Sequence, residues 1–469
     1  MGKAKSEFDA EGVRLTMRRR DYLADMSGQL ALGIMANLVG QLQYFYTDKV
    51  GMAVGSVGVV MAIAKIVDAF TDVIFGNIID HSRGGNKKYF RWMITLAVPA
   101  AAIVALLFMI PAGAATGVQM AYALITNLLL TAVIYTMIAT PFSAVMVVRT
   151  HSNSERASMG VFRAVGNYGA GMLIAIFTIP VTNMLGGNQS AWIKYGTLLG
   201  IAVLLLFLIC WNNGHNAPFT KENAAENGAA AEPEEEPVPF APAMSMLFRN
   251  RYWVIVLLFN LITAITSAVA ASSGTYYCKW IFGDDNLVAV IGGAGFGATL
   301  LGFILSKPII SKLGVTRTVS FGCLGAALMA GIRCFAPASF PMYVTTSLIG
   351  SFVQIPLMCL YGVLTAMAVD FNEWKYDKKL VAMSGGAIGF GNKVGSGVGS
   401  LLLSLFLILG SYDASLAVAS PSMRMSIYGF SNYLPLVINI VMFFIFRGFD
   451  LEEKLPQLRK EVEERRAAK

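Results

Sequence analysis

Long apolar segments follow one another along almost the whole of this 469-residue chain, and that repetition limits what it can become more than any motif does. A helix needs roughly 20 apolar residues to cross a hydrocarbon layer about 30 Å thick. In lipid it must also satisfy its own backbone hydrogen bonds, which selects helices over loops or open sheets. A window of about 19 residues predicts spans near 22–46, 54–79, 89–111, 118–148, 160–182, 191–211, 252–281, 286–306, 315–336, 340–369, 383–409 and 424–447. The expected fold class is an all-α membrane protein with twelve transmembrane helices. Only 14% of the residues are charged and 56% are apolar or aromatic, against about 25% charged in an ordinary soluble protein. A soluble core this apolar would leave too few polar residues to cover its surface, and disordered, coiled-coil and disulfide-scaffold classes are excluded with it.

The net charge of +8 is placed, not scattered. Lys and Arg gather in alternate connections, so that 28 of the 36 fall on one side. The positive-inside bias then predicts both termini in the cytoplasm of a cell (inner or plasma) membrane protein, and no nucleic-acid partner. Residues 1–20 are charged and lead into a polar-studded helix, which is not a cleavable signal pattern. Cys210, Cys278, Cys323, Cys334 and Cys359 lie in or beside apolar segments without CxxC spacing and read as packing residues. One hydrophilic stretch, rich in Ala, Glu and Pro, interrupts the pattern. It divides the chain into a six-helix half (1–211), a cytoplasmic linker (212–251), a second six-helix half (252–447) and a cytoplasmic tail (448–469) with the look of a short helix. A basic connection leaves a Gly-rich helix at the same place in each half, Gly76…Asp80…Arg83…Lys87-Lys88 and Pro308…Lys312…Gly314…Arg317. Two pseudo-symmetric six-helix halves of this kind are the signature of the major facilitator fold, expected here as a monomer.

Few ionisable residues lie inside the spans: Asp25, Lys65, Asp68, Asp72, Arg163 and Lys393. Each costs about 2.5–3.5 kcal/mol at a helix centre on insertion scales, so each should face a wet or paired interior. Lys65, Asp68 and Asp72 share one helix face by their i, i+3, i+7 spacing. Asp68 and Lys393 lie about 16 and 15 Å from the inner ends of their spans, hence level. Two carboxylates a turn apart in low dielectric should hold a proton, a lysine or a cation, and Thr71 and Thr136 are candidate further oxygen ligands. The alternative for this set is a static ion-pair network. For Arg163, placed near the start of the fifth span, snorkelling to the interface and substrate contact are equal readings. Asp25 shares its helix with Gln29, Asn37, Gln41 and Gln43, a set suited to lining a cavity. The glycines from Gly385 to Gly399 around Lys393 allow close backbone approach, for which helix packing is the simplest use. No P-loop, HExxH or GxSxG motif is present, so the chain is expected to be neither ATP-driven nor an enzyme.

Tyr22-Leu-Ala-Asp25-Met-Ser-Gly28, Tyr44-Phe-Tyr-Thr-Asp48, Lys65-Ile-Val-Asp68-Ala-Phe-Thr71-Asp72, Ser154-Glu155-Arg156 leading to Phe162-Arg163, and Asp370-Phe-Asn-Glu373-Trp374 followed by Lys393 form one further pattern. It resembles the glycoside–pentoside–hexuronide:cation symporters, the family of the melibiose carrier. The resemblance implies cation binding at Asp68, Asp72, Thr71 and Thr136, with Na⁺ on the aspartates if sodium is the coupling ion. It implies sugar contacts at Asp25 and Arg163, with Tyr22 and Gln29 beside them and Lys393 linking the two sites. Lys65, Lys393 and Asp370 would form the accompanying charge network. Ala139 stands where the melibiose carrier has a sugar-binding aspartate and Ser143 where it has a tryptophan. That points away from a galactoside, toward a hexuronide or another glycoside. The expected function is Na⁺- or H⁺-coupled import of a sugar, glycoside or hexuronide by alternating access, with no cofactor beyond the coupling ion. Two alternatives are a lysolipid or amphiphile transporter of related fold and a non-transporting membrane sugar sensor.

Overall fold

In the computed structural model, which describes residues 15–80, 87–150, 152–215, 217, 240–378 and 380–467, the chain is all-helical, with no strand among the described residues. Seven helices form the first set: α1 (Arg19–Tyr44), α2 (Val54–Asp80), α3 (Lys87–Leu106), α4 (Thr116–Leu128), α5 (Thr136–Arg149), α6 (Asn153–Met184) and α7 (Gln189–Gly214). Ten follow: α8 (Phe240–Phe248), α9 (Arg251–Tyr277), α10 (Leu287–Leu313), α11 (Val315–Phe335), α12 (Phe340–Cys359), α13 (Tyr361–Tyr376), α14 (Val381–Leu409), α15 (Pro421–Tyr428), α16 (Leu434–Phe446) and α17 (Leu451–Ala467). Eleven helical stretches among the described residues are long and apolar enough to cross a membrane. The twelfth span is α1, whose 26 residues suffice in length but carry Asp21, Asp25, Gln29, Asn37, Gln41 and Gln43. Side-chain oxygens of Ser152, Asn188, Asn250, Ser339 and Ser420 accept backbone N–H bonds at the starts of α6, α7, α9, α12 and α15, answering donors that a helix leaves unpaired.

The chain divides into two compact units, 1–232 and 233–469. Within the first, α1 packs on α6, α3 on α7, and α2 on α4 and α5. Within the second, α9 packs on α14, α11 on α16, and α10 on α12. Counted in spans, these are the same three pairings. Irregularities repeat as well: π-helical turns at Phe45–Lys49 and Cys278–Phe282 end the first and seventh spans. The fourth span is interrupted by a π-helical turn at Leu129–Tyr135 and the tenth at Leu360, between α12 and α13, four residues after Pro356. Gly399 of α14 lies where a Cβ would stand 2.5 Å from the Ile265 carbonyl oxygen of α9, whereas Gly385, Gly386 and Gly389 face open space. Close packing is thus the use of the C-terminal part of that glycine run.

Two boundaries differ from the sequence reading. Helix α7 runs to Gly214 because Arg149 binds the Asn213 and Gly214 carbonyl oxygens and His215 stacks on Trp211 at 4.1 Å. At the other end of the expected linker, α8 forms and buries Ala243 and Leu247 in the core of the second unit. The tail is a helix whose Leu451, Leu455, Leu458 and Val462 are buried along one face. Its polar groups clamp neighbours. Glu452 accepts from the Val315 and Thr316 N–H groups, both at 2.7 Å, at the start of α11, and Asp450 binds Arg251 and Tyr252. The Trp374 indole donates to Glu461 at 2.7 Å. That bond, and after it one from Gln457, holds the Glu461 carboxyl below its ordinary value of 4.5. A depressed folded-state value means the tether is complete above the unfolded value and is lost as pH falls through the folded one. Hydrogen exchange, corrected for intrinsic rate, should therefore show α17 loosening as the pH is taken below the unfolded carboxyl value of 4.5, with part of that pH dependence absent in Trp374→Phe.

Candidate functional site

The first helix carries its acidic residues one turn apart, Asp21 and Asp25, so both point to one side. Helix α6 crosses it there. Arg163 Nε donates to Asp25 Oδ2 at 2.6 Å and its second terminal nitrogen donates to Oδ1 at 2.8 Å, a bidentate fork. Both residues are buried, at 7% and 8% exposure. The guanidinium also lies over the Phe142 ring of α5, 3.9 Å from its centre. Gly28 makes room for this: a Cβ there would meet Phe142 at 2.7 Å and Cys210 at 2.9 Å. The sequence reading placed Arg163 near the start of its span. Because Ser152 caps α6 so early, Arg163 sits ten residues inside the helix, about 15 Å along it, and reaches a buried carboxylate, not an interface.

A second, contiguous network closes one end of the same unit. Arg149 lies 3.6 Å from Asp21 and donates to the Asn213 side chain at 2.9 Å, and Asn213 donates in turn to Asp21 at 2.9 Å. Glu155 accepts the backbone N–H groups of Thr16 and Met17 at 2.8 and 2.6 Å and is bonded by the Thr150 hydroxyl. Glu155 of the Ser154-Glu155-Arg156 motif therefore staples the chain entering α1, and Arg156 holds the Thr150 carbonyl oxygen at 3.1 Å. Sequence reasoning missed Asp21, Arg149, Asn213 and Phe142. The available signal was the i, i+4 acidic pair Asp21/Asp25, which needs cationic partners if its helix is buried.

The remaining candidates are distributed as follows. Tyr22 stacks on Phe162, ring centres 5.4 Å apart, and Gln29 meets Asn167 at 3.5 Å, so both extend the α1–α6 seam that holds Asp25 and Arg163. Asp68 is buried on α2, and the Thr71 hydroxyl donates to the Asp68 carbonyl at 3.0 Å, which leaves its own oxygen as an acceptor. Thr136, buried at the start of α5, donates to the Thr131 carbonyl at 3.3 Å. Since α2 packs on α5, these groups belong to neighbouring helices, and an all-oxygen set suits a hard cation. Lys65 is on the same helix as Asp68, and the Asp72 side chain lies outside the described residues. Lys393 on α14 and Asp370 on α13 belong to the second unit.

Membrane-crossing helices in two units with a repeated pairing pattern, and charges sunk into the first, define a membrane transporter of the major facilitator class, not an enzyme. The chain belongs to the family described as MFS/sugar transport protein, whose model matches residues 25–453. It is 27% identical over 387 residues to the inner membrane symporter YicJ of Escherichia coli (strain K12), covering 81% of this chain and 80% of that one. It is 25% identical over 414 residues to the isoprimeverose transporter of Lactiplantibacillus pentosus, covering 86% and 82%. A solved bacterial homolog of the human lysosomal transporter Spinster shares the fold, with a TM-score of 0.65, 12% identity and 94% and 99% coverage.

Removing one member of a buried ion pair strands the other, at a cost of about 3–5 kcal/mol. Arg163→Gln and Asp25→Asn should each lower the melting midpoint of the purified protein. The double variant should be less destabilised than the sum of the two, as read from a double-mutant cycle of melting curves.

Proposed function

We propose that the protein is a cation-coupled sugar symporter that imports a glycoside or hexuronide by alternating access. The observation that carries this is the Asp25–Arg163 fork, a fully formed polar site inside a membrane-crossing bundle, on the most polar of the spans. Sugar hydroxyls bind at Asp25 and Arg163, flanked by Tyr22 and Gln29, and Lys393 links this site to the cation site. The coupling ion, Na⁺ or H⁺, is held by Asp68 and Asp72 with Thr71 and Thr136 oxygens. Lys65, Lys393 and Asp370 balance the charge as the ion comes and goes. Membership of a sugar-transport family and likeness to an isoprimeverose transporter support the substrate class. The similarity to a glucuronide carrier protein homolog of Escherichia coli (strain K12), 22% identical over 442 residues, supports including uronides. The protein works as a monomer in the cell membrane with both termini in the cytoplasm, in keeping with its basic connections.

Uptake into proteoliposomes, driven by an inward Na⁺ or H⁺ gradient, tests the proposal. One of the two gradients should concentrate a radiolabelled glycoside or uronide above its external level. Asp72→Cys and Asp68→Asn should abolish concentration while leaving slow equilibration, because the gradient then has no site through which to act. Accumulation unchanged by both substitutions would refute cation coupling at these residues. Ligand binding with no flux would make the protein a sensor.

A further inference from the structure

A cleft of about 410 Å³ lies at the tail-bearing end of the second unit, lined by none of the residues assigned above to ion or sugar. Its walls carry Arg317 from the first turn of α11, Arg447 directly after α16, and Asp450, Glu452 and Glu453 from the start of the tail. These charges are not equally committed. Asp450 is bonded by Arg251, Tyr252 and Lys454. Glu452 takes the Val315 and Thr316 N–H groups, both at 2.7 Å, and so closes the start of α11 to any other anion. The side chains of Arg317, Arg447 and Glu453 are exposed and form no ion pair or hydrogen bond among the described residues. Both arginines stand where an apolar stretch ends, at the depth of lipid headgroups. Each also heads an apolar row. Phe321, Leu324 and Leu328 follow Arg317 on its face of α11, and Phe444 and Ile440 precede Arg447 along α16; all five are exposed. Since α11 packs on α16, the two rows run from one cleft.

We infer that this cleft binds a phospholipid with a zwitterionic headgroup, a phosphoethanolamine ester. The phosphate sits on Arg317 and Arg447, the ammonium meets Glu453, and the acyl chains lie along the rows of α11 and α16. A guanidinium fork matches phosphate oxygens in shape and charge, and basic sites at the ends of membrane helices take lipid headgroups. The volume falls within the range of about 300–1,000 Å³ typical of small-molecule sites. A headgroup with a phosphate and no cation would face the Glu453 carboxylate uncompensated. A soluble phosphate compound would meet the charges and leave the apolar rows uncovered. Snorkelling accounts for two arginines at span ends, but not for an unpaired carboxylate in the wall of the same cleft. The inference is independent of the proposed sugar and ion sites.

Native mass spectrometry of the full-length protein, released from an uncharged detergent, reads the affinity for phosphatidylethanolamine and for phosphatidylglycerol of matched chains. One phosphatidylethanolamine should bind at least about tenfold more tightly than phosphatidylglycerol. Arg317→Gln combined with Arg447→Gln should weaken it by at least about tenfold, and either single variant gives the reading if the double one fails to fold. Glu453→Gln should remove the preference, bringing the two lipids within about twofold of each other. Phosphoethanolamine without acyl chains should bind at least about tenfold more weakly than the lipid. Equal binding of the two lipids to the wild type, a smaller loss in the folded arginine variants, or a preference that survives Glu453→Gln overturns the site. Phosphoethanolamine bound as tightly as the lipid assigns the cleft to a soluble phosphate compound and overturns the lipid.

Discussion

A charge inside a hydrocarbon layer must have a partner, and this one constraint decides where the buried charges of the α1–α6 seam go. Asp25 and Arg163 solve it together: each would be untenable alone, and in bidentate contact they satisfy one another at 2.6 and 2.8 Å. The pair then dictates its surroundings. The aromatic face of Phe142 lies against the guanidinium, and Gly28 is as small as it is so that Phe142 can reach there. The early cap at Ser152 sets how deep in the bundle Arg163 arrives. Replacing such a pair by apolar residues is often neutral or stabilising, so fold stability alone does not explain keeping it.

Charges at the ends of the bundles have a different task. In the first unit Asp21, Arg149, Asn213 and Glu155 join α1, α5, α6 and α7 to the entering chain. In the second, Asp450, Glu452 and Glu461 of the tail and its approach join α9, α11 and α13. Each set ties several helices of one unit together. The proposed cycle, in which each unit rocks as a body, depends on such ties.

The spans, and with them the fold class, were legible because lipid imposes a length and a composition that any window detects. The polar first helix was legible for the opposite reason, as a helix too rich in amides and carboxylates to face lipid. The partner of Asp25 was not. Arg163 is 138 residues away, and only the crossing of α1 with α6 brings them together. The same holds for Glu155, whose motif was visible while its task of binding the Thr16 and Met17 backbone was not. The tenth span read as one segment over 340–369, whereas its helix breaks at Leu360. Where a helix ends also involves tertiary partners: Arg149 binds the last carbonyls of α7, which runs past the expected 211 to Gly214.

The fork at Asp25 raises the question of how a site already satisfied can bind a sugar in the proposed cycle. A guanidinium has five N–H donors and a carboxylate about four acceptor directions, and the fork uses two of each. Phe142 lies against the face of the guanidinium, and the remaining donors and acceptors are the ones the proposed sugar would use. The pair is thus preorganised: empty, it strands no charge, and in the proposed cycle its unused donor and acceptor directions meet the sugar. Sugar binding then adds hydrogen bonds without first breaking an ion pair. That lowers the cost of entry and leaves the pair intact when the sugar departs, as a carrier that must release its cargo requires.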